Sequence, residues 1–193
     1  MADFLAPLER LLWCGDPWNG SWPNYRQLGI GFDHVDELIR IATDGALATA
    51  AFDSTEAWAP LHAWRALGQL RAGPAVEPLL DLLTDCAGRD DDWGLEELPV
   101  VFGMIGPAAL PALADYLSDA SRPLHARIAV TTALECMAHE HPPARPRCIE
   151  LLTGLLRVMD WIDPALNGYL ASALLDLEAW EPALMLEEAF AGN

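Results

Sequence analysis

The chain contains the same helix-break-helix pattern twice. Apolar residues at helical spacing lead up to Gly73-Pro74 and continue after it, and the same arrangement surrounds Gly106-Pro107, 33 residues further on. A hairpin of two short amphipathic helices cannot bury its apolar face alone, so a repeat of this length predicts hairpins that stack on their neighbours. The pattern therefore predicts an all-α fold, an α-α superhelix of about four helical hairpins.

Proline and aspartate residues indicate where the predicted helices begin. Proline is well tolerated in a first helical turn because the N–H that it lacks has no intrahelical partner there. Asp33, Ser54 or Thr55, and Asp92 are the expected N-caps, and Asp163-Pro164 is expected to start a further helix. The predicted helices span residues 3–13, 33–43, 54–71, 74–86, 93–105, 107–117, 124–138, 143–159, 164–178 and 182–190.

The first part of the chain is predicted to differ from the rest. Cys14 to Asn24 is rich in Gly and Pro and reads as an irregular arm, in which Trp18 and Trp22 cover the exposed end of the superhelix. We expect residues 1–32 to form a capping helix and arm, and residues 33–193 to form the repeat domain. The two together form a single structural unit.

The charge of the protein restricts its partners. Its formal net charge is −18, and all eleven basic residues are Arg. Such a surface repels phosphate backbones and anionic lipids, which argues against binding to nucleic acid or membranes. The acidity serves either solubility or the recognition of a basic partner, and the sequence leaves both interpretations open.

The cysteines and the first residues indicate a cytoplasmic protein. The four cysteines are widely spaced and form no Cys-x-x-Cys pair, which favours reduced thiols over disulfides or a zinc site. No basic segment followed by a long apolar run opens the chain, and no apolar run approaches eighteen residues. We expect a cytoplasmic monomer without a membrane anchor.

Aligning the predicted inner helices separates core positions from candidate binding positions. Two rows are apolar in every repeat and are predicted to form the core: Leu70, Ile105, Met137 and Leu177, and Leu67, Phe102, Leu134 and Leu174. Three other rows mix aromatic, charged and hydroxyl residues: Trp58, Trp93, His125 and Ala165; His62, Glu97, Ala129 and Tyr169; Arg65, Val100, Thr132 and Ser172. Because stacked repeats place equivalent positions side by side, these rows could form a continuous surface, and aromatic residues beside polar ones suit an interface.

The candidate binding residues come from this surface and from an acidic segment beside it. From the rows we select Trp58, His62, Arg65, Trp93, Glu97 and Tyr169. Asp90, Asp91, Asp92 and Glu96 add carboxylates near the start of one inner helix. The alternative interpretation is that the tryptophans pack between hairpins and that the acidic segment is a solvated loop.

Neither a metal site nor a catalytic site is predicted. His139-Glu140-His141 places two imidazoles two residues apart, which is not the spacing that brings ligands to one helical face, and it is expected to be a solvated helix end. No nucleophile motif or Gly-rich phosphate loop is present. We therefore expect no cofactor, no metal and no enzymatic activity.

The placed helices resemble the HEAT-repeat family, particularly its short bacterial type. In this family the outer helix of a repeat contains Pro and regularly spaced Leu and ends in Leu-x-Asp, and Pro107 to Asp119 resembles it. The inner helix of the family contains an Arg followed by spaced Ala and ends in Ala-Leu-Gly. It is matched by Arg127, Ala129, Ala133 and Leu134, with a second partial copy at Ala66-Leu67-Gly68. The similarity covers roughly residues 30–190, and Glu135 stands where the family has Gly. The resemblance implies a right-handed stack of hairpins whose inner helices line a concave, protein-binding face.

These observations predict a protein-interaction module that binds a protein or peptide through its inner helices, with a basic partner as one candidate. Two alternatives remain. The first is an acidic inhibitor or immunity-type protein that blocks a basic enzyme or mimics nucleic acid. The second is a HEAT-like enzyme, such as one of the bilin lyase type.

Overall fold

Helices account for the regular secondary structure of the described chain. The computed structural model describes residues 5–15, 21–48, 54, 56–157 and 163–179, and no strand occurs within these ranges. The α-helices there are α1 (Val35–Ala42), α2 (Gly45–Ala48), α3 (Ala59–Leu70), α4 (Val76–Arg89), α5 (Asp92–Ile105), α6 (Leu110–Ser118), α7 (Leu124–Glu140), α8 (Arg145–Leu156) and α9 (Pro164–Asp176). The predicted all-α class is confirmed for this part of the chain.

The chain divides into two compact units, with the division between Leu82 and Leu83 inside α4. The predicted boundary after residue 32 does not coincide with this division, and the predicted extent of the repeat domain stays a prediction. In the first unit α1 packs against α3, and a 3-10 helix, Leu8–Trp13, also contacts α3. In the second unit α5 packs on α7 and α7 packs on α9, while α6 and α8 lie against α7.

Three α-helices begin through the same short turn. The 3-10 helices Gly73–Ala75, Pro107–Ala109 and Pro142–Ala144 lead directly into α4, α6 and α8. In each turn the backbone N–H of the alanine donates to the carbonyl three residues earlier, at 2.8–2.9 Å. Proline thus opens a 3-10 turn instead of the α-helix itself, and the α-helices begin two or three residues later than the prolines suggest.

Several predicted helix starts need correction. α1 begins at Val35, after a 3-10 turn that contains Asp33, so Asp33 is not its N-cap. α3 begins at Ala59 and not near Ser54, with Trp58 at the N-cap position. The predicted start at Asp163-Pro164 is confirmed: α9 begins at Pro164, and Asp163 is its N-cap, since its carboxylate accepts from the N–H of Ala165 at 2.8 Å. Trp18, Thr55 and the helix predicted over residues 182–190 lie outside the described residues.

The two apolar rows form the core, as predicted. All eight side chains are buried, at most 3% exposed. The core also contains a charged group: Arg127 at the start of α7 is buried and its Nε donates to the carbonyl of Leu117, at the end of α6, at 3.0 Å. A buried guanidinium that satisfies a helix C-terminal carbonyl ties the end of α6 to the helix that follows it.

In the second unit two glycines allow other residues to approach the backbone more closely than a side chain would permit. A Cβ added to Gly103 on α5 would lie 2.6 Å from the Cβ of Cys136 on α7. Gly106 has a φ of +83°, and a Cβ there would lie 2.4 Å from the His141 ring. The spacing between α5 and α7 therefore depends on the missing side chain at Gly103.

Within the described ranges, no single helix has the length and apolar character needed to cross a bilayer. α5 and the segment Pro107–Ser118 meet these criteria only as a pair, and they are bent by 107° at the break between them.

Candidate binding site

A concavity of about 260 Å³ opens in the second unit, between residues of α5, α7 and α9 and the loop before α5. α7 forms one wall with His125, Ile128, Ala129 and Thr132. These positions are separated by three, one and three residues, the spacing that places side chains on one face of a helix. His125, Ala129 and Thr132 are the α7 members of the three mixed rows, so the rows do define a surface on this helix.

The remaining walls come from α5 and α9. Leu95 on α5 is half-buried and, with Ile128, gives the concavity an apolar portion. Tyr169 on α9 lines the same concavity and is 51% exposed, so it remains accessible to a ligand. Tyr169 is one of the predicted binding residues, and the structure brings it together with the acidic segment.

The acidic segment separates into one structural aspartate and two that line the concavity. Asp91 is the N-cap of α5: its carboxylate accepts from the N–H of Gly94 at 3.3 Å and lies 3.8 Å from Arg89. Asp92 was the predicted cap, but it is the first residue of the helix instead. Asp90 has a φ of +53° and is exposed. This left-handed residue turns the chain, so that Asp90 and Asp92 both line the concavity.

The concavity combines negative charge with an aromatic residue, Tyr169. Asp90 and Asp92 are exposed, and within the described part of the chain neither forms an ion pair. His125 and Thr132 add hydrogen-bonding groups, and both are exposed. Carboxylates attract cations, and the face of a tyrosine ring is also attractive to them. The arrangement is therefore suited to a positively charged group.

A proline in α5 changes the backbone at the wall of the concavity. Pro99 lies inside the helix and is buried. It has no N–H, so the carbonyl of Leu95 loses the partner that it would have four residues later in an α-helix. Leu95 is also a lining residue. Pro99 thus alters the backbone hydrogen bonding of α5 next to a lining residue.

His62 and Arg65, which we predicted on an open binding surface, are buried in the first unit. Their exposed fractions are 1% and 3%. His62 Nε2 lies 3.0 Å from the carbonyl of Gly15, and Nδ1 lies 2.7 Å from the hydroxyl of Tyr25. A carbonyl only accepts, so Nε2 carries the hydrogen, and in the neutral ring Nδ1 accepts from Tyr25. The imidazole is satisfied from both sides within the protein.

The chain's own residues 22–25 cover this face of α3. The Arg65 guanidinium lies 4.8 Å from the centroid of the Trp22 ring. Gln69 accepts from the backbone N–H of Tyr25 at 3.1 Å and donates to the carbonyl of Pro23 at 2.8 Å. The polar side chains of α3 are therefore used to hold residues 22–25, which corrects their predicted exposure. Trp22 contacts α3 through Arg65, and its predicted role in covering the exposed end of a superhelix stays a prediction.

The other predicted residues lie outside the concavity. Trp58 is half-buried just before α3, Trp93 and Glu97 are half-buried on α5, and Glu96 is exposed there. None of these four described residues lines the concavity. The continuous surface through Trp58 and Trp93 would join residues of two units, and it stays a prediction.

Sequence reasoning missed Leu95 and Ile128 as site residues. Both are apolar and were treated as part of the general helix pattern. The available signal was spacing: Ile128 follows His125 by three residues, and Leu95 follows Asp92 by three, so each shares a helical face with a polar residue that lines the site.

No metal cluster is present among the described residues: no three His, Cys, Asp or Glu side chains there could hold one ion. In the His139-Glu140-His141 segment, His139 and Glu140 are exposed, in line with a solvated helix end. His141 instead packs on Gly106, with Nε2 3.4 Å from the Met104 carbonyl.

Burial dominates the pKa of the described thiols. It raises the pKa of Cys86 to about 12, with a further contribution from the charge of Asp91, and raises that of Cys148 to about 11. It also raises the pKa of Cys14 and of Cys136. All four are free. Reactive cysteines have lowered pKa values, so the shift of these four thiols is opposite to that of a nucleophile.

In a comparison with known proteins, no family model, no curated protein and no solved structure matches the chain.

Proposed function

We propose that the protein is a non-enzymatic interaction module that binds a basic segment of a protein partner in the concavity of α5, α7 and α9. The observation that carries the proposal is the lining itself. Two exposed aspartates, Asp90 and Asp92, and a half-exposed Tyr169 meet an apolar portion in one site. Charge complementarity of this kind gives a basic partner both specificity and a faster association.

The architecture that we propose for this module is a HEAT-like α-α superhelix. Its support is the repeated 3-10 turn before α4, α6 and α8 and the order in which α5, α7 and α9 pack. In such a stack α5, α7 and α9 are the inner helices, and their mixed rows lie on the concave face. The concavity is then one part of a longer binding surface.

The size of the site favours a side chain over a free small molecule. Pockets for drug-sized ligands and cofactors occupy roughly 300–1,000 Å³. At about 260 Å³ the concavity lies below this range. A site of this size with an exposed rim is suited to anchor one residue of a longer chain, so the proposed partner is a protein or peptide and the proposed module is a monomer without a cofactor.

The test is a selection of displayed random peptides on the immobilised protein, followed by calorimetric titration of the enriched peptides. Thr132→Trp blocks the concavity, and Thr132 is exposed, so the substitution leaves the core unchanged. We expect binding to weaken by at least about tenfold in this variant, because an anchor residue can no longer enter.

The matched control is Ser118→Trp, an exposed hydroxyl residue at the end of α6 that lies outside the concavity. It should bind the peptides like the wild type. Peptides that bind the Thr132→Trp variant as tightly as the wild type would refute the proposed site.

A further inference from the structure

Resting on the proposed function, we propose that the anchor residue is an arginine. Its guanidinium lies between the carboxylates of Asp90 and Asp92, and its plane lies against the ring of Tyr169. The partner is accordingly a segment centred on an arginine, and lysine is a weaker substitute.

The protein already holds one of its own arginines with this combination of groups. The Arg122 guanidinium lies 4.7 Å from the centroid of the Tyr116 ring, and its Nε is 3.3 Å from a carboxylate oxygen of Asp119. A tyrosine face and an aspartate thus bind a guanidinium in the same unit. In the concavity the corresponding groups are Tyr169, Asp90 and Asp92, and no described arginine pairs with either aspartate.

The first unit uses arginine in a similar way. Arg65 lies over the Trp22 ring, and this contact is part of what holds residues 22–25 on α3. A segment of the chain is there attached to α3 through a cation–π contact and hydrogen bonds to the segment's backbone. The first unit thus provides an internal example of how an irregular segment binds to a helix of this protein.

The donor and acceptor balance of the concavity favours arginine over lysine. A guanidinium is planar, has five N–H donors in a fixed fork, and is less strongly hydrated than an ammonium. It can donate to two carboxylates and still stack on an aromatic ring. Lysine has a point charge and no plane, so it cannot use all of these groups together.

Other ligand classes fit less well. The two aspartates repel phosphate and other anions. A methylated ammonium is bound by cages of several aromatic rings, whereas Tyr169 is the aromatic residue that lines this concavity in the described chain. The same lining therefore distinguishes among cations as well as between cations and anions.

The experiment titrates the isotope-labelled protein with N-acetyl-arginine methylamide and follows the Ile128 methyl and Tyr169 ring signals by NMR. The corresponding lysine and citrulline amides are titrated in parallel. Citrulline keeps nearly the shape of arginine but has no charge. We expect saturable shifts with arginine, at least about threefold weaker binding with lysine, and no saturable shifts with citrulline.

Asp90→Asn/Asp92→Asn should abolish the arginine shifts. The control Asp85→Asn/Asp115→Asn removes the same charge from exposed residues of α4 and α6 outside the concavity, and should retain them. Equal binding of lysine or citrulline, or an absence of arginine shifts, would overturn the inference. If selected peptides require an open concavity but tolerate replacement of their arginines, the inference fails while the proposed function stands. If no selected peptide depends on the concavity, the proposed function itself fails.

Discussion

Three consecutive aspartates, Asp90, Asp91 and Asp92, have three different surroundings. Asp90 occupies a left-handed turn, Asp91 caps α5, and Asp92 is the first residue of the helix. A pattern of residue types cannot separate them, because each is an acceptable cap and each is acidic. The direction of the backbone decides which carboxylate points at the free N–H groups and which two remain for the concavity.

Because their surroundings differ, substitutions of the three aspartates should change the stability of the protein by different amounts. Asp91→Ala removes the acceptor for the Gly94 N–H, and we expect it to lower the free energy of unfolding by about 1 kcal/mol. Asp90→Asn and Asp92→Asn should change it by less than about 0.5 kcal/mol, since surface substitutions away from such features have small effects. Urea unfolding of the three variants measures this. A similar loss in all three would mean that the cap is shared.

Glu135 should make stability depend on pH. Burial raises the pKa of its carboxyl, the charge of Asp176 raises it further, and His139 partly opposes this. Because the folded pKa is above the unfolded one, ionisation of Glu135 costs stability as the pH rises through these values.

Glu135→Gln removes this cost. We expect its melting temperature to exceed that of the wild type at pH 7, and the difference to vanish below the pKa of an exposed glutamate, about 4.3. Glu96→Gln makes the same charge change at an exposed site. A benefit of Glu135→Gln that persists unchanged at pH 4 would show that packing, and not ionisation, is responsible.

At the scale of the helices, the close contact between α5 and α7 is the feature most sensitive to a single atom. Gly103→Ala places a methyl group 2.6 Å from the Cys136 Cβ and 3.2 Å from the Met137 backbone nitrogen. Both distances are shorter than van der Waals contact, so α5 and α7 would have to move apart. We expect a loss of about 1–3 kcal/mol in unfolding free energy from this overpacking.

Gly154→Ala is the matched control. It lies on α8, and an added Cβ would meet nothing within 4 Å. Alanine should therefore stabilise the helix by about 0.5–1 kcal/mol. Chemical denaturation of both variants decides the question. Equal effects of the two substitutions would show that α5 and α7 can separate without cost.

The burial of a side chain could be predicted from the sequence only where the spacing of neighbouring residues indicates it. Spacing alone placed Leu134 and Met137 in the core, since a helical face is a property of neighbouring residues. The burial of His62 could not be predicted in this way. Its partner Tyr25 is 37 residues away in the sequence, and the spacing of neighbouring residues carries no information about a contact over that distance. Likewise, Tyr169 and Asp92 are brought to one site only by the packing of α9 and α5 on α7.

At the scale of the whole molecule, the charge is unevenly distributed. Residues 75–121 contain ten acids and one arginine, Arg89, whereas residues 122–157 contain five arginines and three acids. The first of these segments contributes Asp90 and Asp92 to the concavity. The second contributes the α7 wall, so the attraction over longer distances comes from the net charge of −18 of the whole protein.

This predicts that association with a selected basic peptide slows as salt is added, because charges more than about 8 Å apart are screened at physiological ionic strength. At low salt, Asp90→Asn/Asp92→Asn should bind more slowly than the wild type and more slowly than Asp85→Asn/Asp115→Asn, although both variants change the net charge equally. Stopped-flow fluorescence across a salt series gives these rates. Identical rates for the two double variants would assign the effect to net charge alone.

The raised thiol pKa values have a practical consequence for following such reactions. At pH 8 a thiol with the pKa of Cys86, about 12, is ionised to about one part in ten thousand, and only the thiolate reacts with a maleimide. A cysteine introduced at exposed Thr132 is not held back by burial, so it would ionise more readily than Cys86 or Cys148, whose pKa is raised to about 11. A fluorescent label could therefore be placed at the proposed site while these two buried native thiols stay in place.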